Sequence, residues 1–298
     1  MIGDIHKLLL LPHIQVHNAN ALSSPFTIGF PAMTAWLGFS HALQRKLIAD
    51  GFVDFEAEAT AVISHDCQLQ THKGVDDFVH SIIGTGNPLD KTGQRSAFIE
   101  EARCHLNVSL IIRFNGVSKD QETELLERIT HHLNKNLKVA GGDILGFDAP
   151  EPLRITEGED TDLRRLTRKL MPGYVIIERR ELMQDAMQQG QDAIDALLDY
   201  LAIHHSCEQD DAGNVSWTSK RQTAGWIVPI ATGFHGITEL GQAKNQRDLD
   251  TVHRFAESIV TLGEFKMPYQ IHSLDEILWR YQVDSEKNLY LCQQTNHS

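Results

Sequence analysis

Leu106-Asn-Val-Ser-Leu-Ile-Ile-Arg-Phe114 puts an apolar side chain at every second position from 106 to 114. A period of two marks a strand with one dry face. Working outward, Ser118 and Gln121 form a capping box for a helix carrying Leu125, Ile129 and Leu133 on one side. Val139 to Phe147, interrupted by Gly141 and Gly142, reads as a short strand after that helix. Upstream, Phe55, Ala57, Ala59, Ala61 and Ile63 alternate with mostly polar neighbours, giving another strand. Pro31 opens a helix with Trp36, Phe39, Leu43 and Leu47 on one face, stopped by Gly51. Leu8 to His17 starts apolar and then alternates through Ile14 and Val16; Pro12 within it calls for an edge position or a bulge.

The order is strand, helix, strand, strand, helix, strand, the split arrangement of ferredoxin-like and RNA-recognition folds. The sequence therefore predicts an α+β protein whose ferredoxin-like core spans 1–147. A long insertion, Asp66 to Arg103, separates the second and third strands, and insertions of that length are functional projections more often than plain loops. It holds the turn-rich stretches Gly84-Thr-Gly-Asn-Pro88 and Lys91-Thr-Gly93 and is read as an inserted thumb over 66–103. Residues 148–298 are expected as a mixed extension packed on the core. There Leu163–Leu170 reads as a helix, Tyr174–Ile177 as a strand, and Glu181–His205 as one amphipathic helix with an acidic face. Gln209–Asn214 reads as a polar loop and Trp226–Ile237 as a strand broken by Pro229, Gly233 and Gly236. Val252–Leu262 and Leu274–Tyr281 read as helices.

A chain of 298 residues can bury a substantial core, and 41% hydrophobic with 22% charged residues is the balance of a globular protein. No apolar run is long enough for a membrane helix, and Leu8–Leu11 lacks the flanks of a signal peptide, so a cytoplasmic location without membrane contact is expected. Cys67, Cys104, Cys207 and Cys292 are far apart and read as free thiols. The sixteen histidines include the adjacent pairs His131–His132 and His204–His205; helical neighbours point about 100° apart, so the histidines read as scattered over the surface, with no metal site.

A net charge of −13 opposes phosphate binding if taken as a sum. Its distribution does not. Residues 163–180 carry six basic side chains and one acid, whereas 181–211 carry eight acids and no Lys or Arg. Arg164, Arg165, Arg168 and Lys169 share one helix face, which suits either a phosphodiester backbone or a solvated helix end where cations offset the macrodipole. In His17-Asn-Ala-Asn-Ala-Leu-Ser-Ser-Pro25, Asn18, Asn20, Ser23 and Ser24 could bond base edges, although such loops more often satisfy their own backbone. Trp226 is expected buried in a core strand, leaving Phe234 and His235 open for stacking. Gly141-Gly142 reads as a bulge or a close backbone approach. No P-loop, nucleophile elbow, dinucleotide fingerprint or kinase signature occurs, and no catalytic residue and no cofactor is assigned.

These same segments resemble those of a known family. Leu11-Pro-His-Ile-Gln-Val-His-Asn-Ala-Asn-Ala-Leu-Ser-Ser-Pro25, Gly29-Phe-Pro31, His41-Ala-Leu-Gln-Arg45, Asn87-Pro-Leu89 and Glu100-Glu-Ala-Arg-Cys-His-Leu106 carry the resemblance in the first half. Arg164-Arg-Leu-Thr-Arg-Lys-Leu-Met-Pro-Gly173, Gly225-Trp-Ile-Val-Pro-Ile230 and Leu262-Gly-Glu264 carry it in the second. In number and order these motifs resemble the Cas-five-type (second Csy) subunits of the type I-F CRISPR surveillance complex.

The resemblance implies a RAMP-type protein, a ferredoxin-like RNA-binding fold with a thumb. It implies a non-catalytic subunit that holds the 5′ handle of the guide RNA, pairs with the large subunit at the tail of the complex and meets the adjacent backbone subunit. Target DNA would be reached only through the complex, where base pairing reads sequence. The RNA-binding set expected is Asn18, Asn20, Ser23, Ser24, Arg95, Arg103, Arg164, Arg165, Arg168, Lys169, Phe234, His235, Asn245 and Arg247, with Arg95 and Arg103 as the charges of the thumb. Two other readings stand beside it. One is a guide-precursor endoribonuclease using His17, His235 or Tyr174 as a base near a 2′-hydroxyl. The other is an adaptor that touches protein alone.

Overall fold

In a computed structural model that describes residues 4–86, 89–95, 98–209, 213–246 and 248–294, the alternating runs assemble into one antiparallel sheet. Its strands are β1 (Ile5–Asn20), β2 (Glu56–Leu69), β3 (Arg103–Asn115), the short Lys138–Val139, β4 (Gly142–Gly146), β5 (Glu151–Thr156), β6 (Tyr174–Glu178), β7 (Trp226–Gly236), β8 (Ala256–Lys266), β9 (Trp279–Asp284) and β10 (Leu289–Gln294). Among the described residues five α-helices accompany it: α1 (Met33–Ala49), α2 (Glu122–Lys135), α3 (Asp160–Lys169), α4 (Arg180–Gln188) and α5 (Ala193–Leu201). The protein is a mixed α+β structure built on a large antiparallel sheet.

Strand order runs Lys138–Val139, β4, β1, β3, β2, β6, β8, β7, β10, β9, and β5 lies beside the first half of β1. On the free edge of β2, Thr60 pairs with Trp279 of β9 while Ile63 and Ser64 pair with Val175 and Tyr174 of β6. Strands β2, β6, β8, β7, β10 and β9 therefore close into a ring. β1 is interior, so Pro12 is no edge residue: the β1–β3 register slips between Leu11 and Ile14, and the proline sits in that bulge. Gly142 marks a close approach, since a Cβ there would lie 2.7 Å from the His17 carbonyl oxygen and the Ala19 nitrogen.

The sheet has two dry regions. Leu9, Leu11, Ile14 and Val16 of β1 with Leu110 and Ile112 of β3 face α1 and α2, which bury Trp36, Leu43, Leu47 and Ile129 against them. A fully buried side chain of this kind contributes roughly 1.5–3 kcal/mol. On the opposite face Leu8, Leu10, Ala61, Ile63 and Ile111 are covered by Leu166 and Leu170 of α3 and by Leu274 and Leu278. The capping box is present, with Ser118 and Gln121 leading through a short 3-10 turn into α2.

The second half departs from expectation in four places. Residues 181–205 form two helices: the chain turns at Gly190 (φ 101°), and Asp192 caps α5 by accepting from the Ile194 and Asp195 N–H groups. His204 and His205 instead belong to a strand, His204–Gln209, paired with Val215–Lys220. The run read as a helix over 252–262 is largely β8, in keeping with the β-branched Ile259-Val260-Thr261 and Gly263. Leu274–Tyr281 is a turn entering β9; Leu274, Ile277 and Leu278 mimic helical spacing because a turn also brings such positions to one side. β7 continues through Pro229 and Gly233 with a register shift between Ala231 and Gly233.

The segment between β2 and β3 carries two short ladders, Thr71–His72 with Ser81–Ile82 and Gly84–Gly86 with Phe98–Glu100. The Gln209–Asn214 loop and the Asn87–Pro88 motif lie partly or wholly outside the described residues.

Candidate nucleic-acid interface

The face of the sheet opposite α1 and α2 changes character halfway up. Below, Leu8, Leu10, Ala61, Ile63 and Ile111 are apolar and covered. Above, the same parity of β1, β2 and β3 presents His13, Gln15, His17, His65, Gln68, His105, Asn107 and Ser109. Strand register brings the histidines together. The His13 and His65 rings lie 4.2 Å apart, and His17 stacks on His105 at 4.5 Å.

A hydrogen-bonded chain fixes the base of this ridge. The His13 N–H donates to Ser109 Oγ (3.0 Å), and Ser109 Oγ lies 2.7 Å from His65 Nε2. His65 Nδ1 bonds the Pro172 carbonyl. A carbonyl only accepts, so Nδ1 carries the proton and Nε2 accepts from the Ser109 hydroxyl. Burial lowers the His65 pKa, partly offset by the Pro172 bond, with a further lowering from His13. The imidazole is thus a neutral link joining β1, β2 and β3 to the turn that leaves α3.

Beside the ridge is a cavity of about 370 Å3, lined among others by Ser23, Gly29, Phe30, His65, Asp66, Tyr174, Trp226 and Phe265. Trp226 is 52% exposed, contrary to the burial expected for it. It stands at the start of β7, edge-on to Tyr174 (5.1 Å) and tilted against Phe265 (5.1 Å). Asp66 borders both cavity and ridge.

The expected residues divide. Asn18 belongs to the ridge: it is exposed at φ 58°, its N–H donates to His105 Nδ1 (3.3 Å), and its Oδ1 accepts from the Gln70 amide (2.6 Å). Asn20 is spent on Leu22, to whose N–H and carbonyl it bonds. Ser23 lines the cavity while bonding Thr27, and Ser24, 4% exposed, also bonds Thr27. Arg103, at the ridge end of β3, is paired with Glu101 at 2.9 Å. On α3, Arg164 meets Asp160 (3.8 Å), Arg165 meets Asp162 (3.2 Å) and Lys169 meets Glu151 (2.6 Å). Arg168 is exposed with no acidic partner among the described residues. Arg95 and Asn245 are exposed, and Arg247 lies outside the described residues.

Phe234 and His235 are elsewhere. They sit at the far end of β7, with His235 against Glu257 (3.2 Å), eight and nine residues beyond Trp226 or roughly 30 Å of extended chain. Of the three candidate bases, Tyr174 touches Trp226 in the cavity, His17 stands on the ridge and His235 lies at the far end of β7. The histidines are only in part scattered over the surface: four form the ridge and His132 is 6% exposed beside Asp50 at 2.8 Å, whereas His41, His72, His80, His131, His204, His205, His253 and His272 are exposed as expected. Among the described residues no cluster of three His, Cys, Asp or Glu side chains is placed to hold a metal ion, and no helix is long and apolar enough to cross a membrane.

The site that sequence reasoning missed is the ridge itself. Its signal was the polar parity of β3: His105, Asn107 and Ser109 occupy the outward positions of the strand whose inward positions defined the fold.

The family model described as CRISPR-associated protein (Cas_Csy2) matches residues 9–292. The CRISPR-associated protein Csy2 of Pseudomonas aeruginosa (strain UCBPP-PA14) is 33% identical over 315 residues, covering 97% of this chain and 95% of that protein. With the match running from β1 into β10, the chain belongs to the Cas_Csy2 family of CRISPR-associated proteins.

Proposed function

We propose that this chain is a non-catalytic RNA-binding subunit of a type I-F CRISPR surveillance complex and holds the 5′ handle of the guide RNA. The observation that carries the reading is the uncovered polar half of the sheet beside a half-exposed tryptophan. Amides, imidazoles and hydroxyls suit the edges and 2′-hydroxyls of an unpaired strand, and an exposed aromatic ring suits its bases. The strand order β4, β1, β3, β2 with α1 and α2 on one face supports the ferredoxin-like, RAMP-type core. Part of the negative charge that opposed RNA lies elsewhere: Glu181 and Asp185 are on α4, Asp195 and Asp199 are on α5, and Asp192 caps α5.

The segment between β2 and β3 serves as the thumb. Its exposed Val75, Phe78 and Val79 support a protein contact there, with the large or the adjacent backbone subunit. Residues 148–298 extend the core as part of the same sheet. The endoribonuclease reading needs one of His17, His235 or Tyr174 as a base near a 2′-hydroxyl, and cleavage of the repeat RNA by the purified chain, lost on changing that residue, would favour it.

Fluorescence anisotropy with the cognate handle and a scrambled RNA tests the reading. Replacing His17 and His105 together by Ala should weaken the cognate handle at least ten-fold without lowering the melting temperature. Equal affinity of parent and variant for the handle would sink the assignment of the ridge.

A further inference from the structure

We propose that the aromatic cavity takes one unpaired nucleobase of a bound RNA strand, stacked on Trp226 and hydrogen-bonded through its amino group to Asp66. The inference rests on the RNA-binding reading above and adds to it where one base goes and what selects it.

Trp226 supplies the first observation. Trp36 and Trp279, which serve packing, are both 0% exposed, whereas Trp226 stays half exposed although Tyr174 and Phe265 brace it. A large ring held rigid but left in solvent is a stacking platform already ordered before the ligand arrives. Size is the second. About 370 Å3 lies at the small end of ligand sites, which fits a single base and is too narrow for a duplex.

The third observation concerns polarity. Asp66 Oδ2 accepts from the Gln68 amide at 2.7 Å, and Oδ1 has no hydrogen-bond partner among the described residues. A carboxylate beside an RNA strand repels phosphates, so its presence on the cavity rim calls for a donor to meet it. An ionised carboxylate only accepts. It therefore pairs with the amino group of guanine, cytosine or adenine, and it is disfavoured by uracil, whose single N–H is flanked by two carbonyl oxygens.

The test uses the full-length chain with fluorescein-labelled uridine dodecamers, each carrying guanine, cytosine, adenine or an abasic residue at one scanned position, in low salt. At one position the amino-bearing bases should bind tighter than uridine, and the abasic residue should cost roughly ten-fold. Trp226→Ala should bind all the oligonucleotides about equally and as weakly as the parent binds the abasic one. Trp226→Phe, which keeps a ring, should retain most of the affinity. Asp66→Asn should erase the preference for an amino group while keeping the abasic penalty. If the parent binds the oligonucleotides but shows no sensitive position, or Trp226→Ala changes nothing, the base slot fails and the RNA-binding reading stands. If Trp226→Phe loses as much as Trp226→Ala, or Asp66→Asn keeps the preference, the stacking or the amino-group contact is wrong. A folded parent that binds none of the oligonucleotides overturns both readings.

Discussion

Glu178 shows how one buried side chain sets a pH dependence. It ends β6 at 8% exposure, its Oε2 accepting from the Gln294 N–H at 3.2 Å. Desolvation lifts its carboxyl to about 7, with Arg180 and the Gln294 bond pulling it back. A carboxyl with a raised folded pKa holds its proton more tightly folded than unfolded. Stability is then fully present below the ordinary glutamate range and lost as pH rises through about 7. Glu178→Gln keeps an acceptor for Gln294 and removes the charge. Urea melts should find the variant more stable at pH 8 by on the order of 2 kcal/mol and matched to the parent near pH 4; a parent whose stability does not fall between those pH values would contradict this. At this scale the sequence was least legible. Asn18 and Arg168 could be picked out by type, but the meeting of His13 with His65 and of His17 with His105 depends on register between strands roughly 50 to 90 residues apart in sequence, which no local spacing encodes.

Among the elements, α3 carries the charge that sequence spacing singled out, and the structure grades it. Three of its four cations face carboxylates, and Arg168 alone is exposed without one among the described residues. α3 runs toward Pro172, whose carbonyl bonds His65, so its C-terminal end approaches the ridge. Arg168→Gln should flatten the plot of log affinity against log salt by about 0.7, the value of one single-strand phosphate. Lys169→Gln should do less, because its partner Glu151 must first be released. Equal slopes for parent and Arg168→Gln across a salt series would remove α3 from the interface. Elements were legible where one face is apolar at a regular period: α1 and α2 bury one side, and β3 keeps its period of two although Ser109 and Ile111 on its other face are also buried. β8 was misread because it lies between β6 and β7 with many half-buried side chains, which blurs the period of two.

At the scale of the whole molecule, the two halves share one sheet, and both dry regions draw side chains from each half. Trp279 of β9 packs in the same cluster as Leu9 and Trp36, and its indole N–H donates to the Ile176 carbonyl at 3.0 Å. Trp279→Ala should cost about 3–5 kcal/mol and lower a single cooperative transition for the full chain. Two separate calorimetric transitions would show instead that residues 148–298 fold independently of 1–147. The closed ring also has a consequence in time. The outer edge of β2 waits for strands that leave the ribosome more than 100 residues later, so a nascent chain displays an unpaired strand beside an apolar surface throughout that interval. Neighbouring nascent chains on one message could pair through that edge, so a pause in translation between β2 and β9 should favour aggregation more than an equal pause before β2.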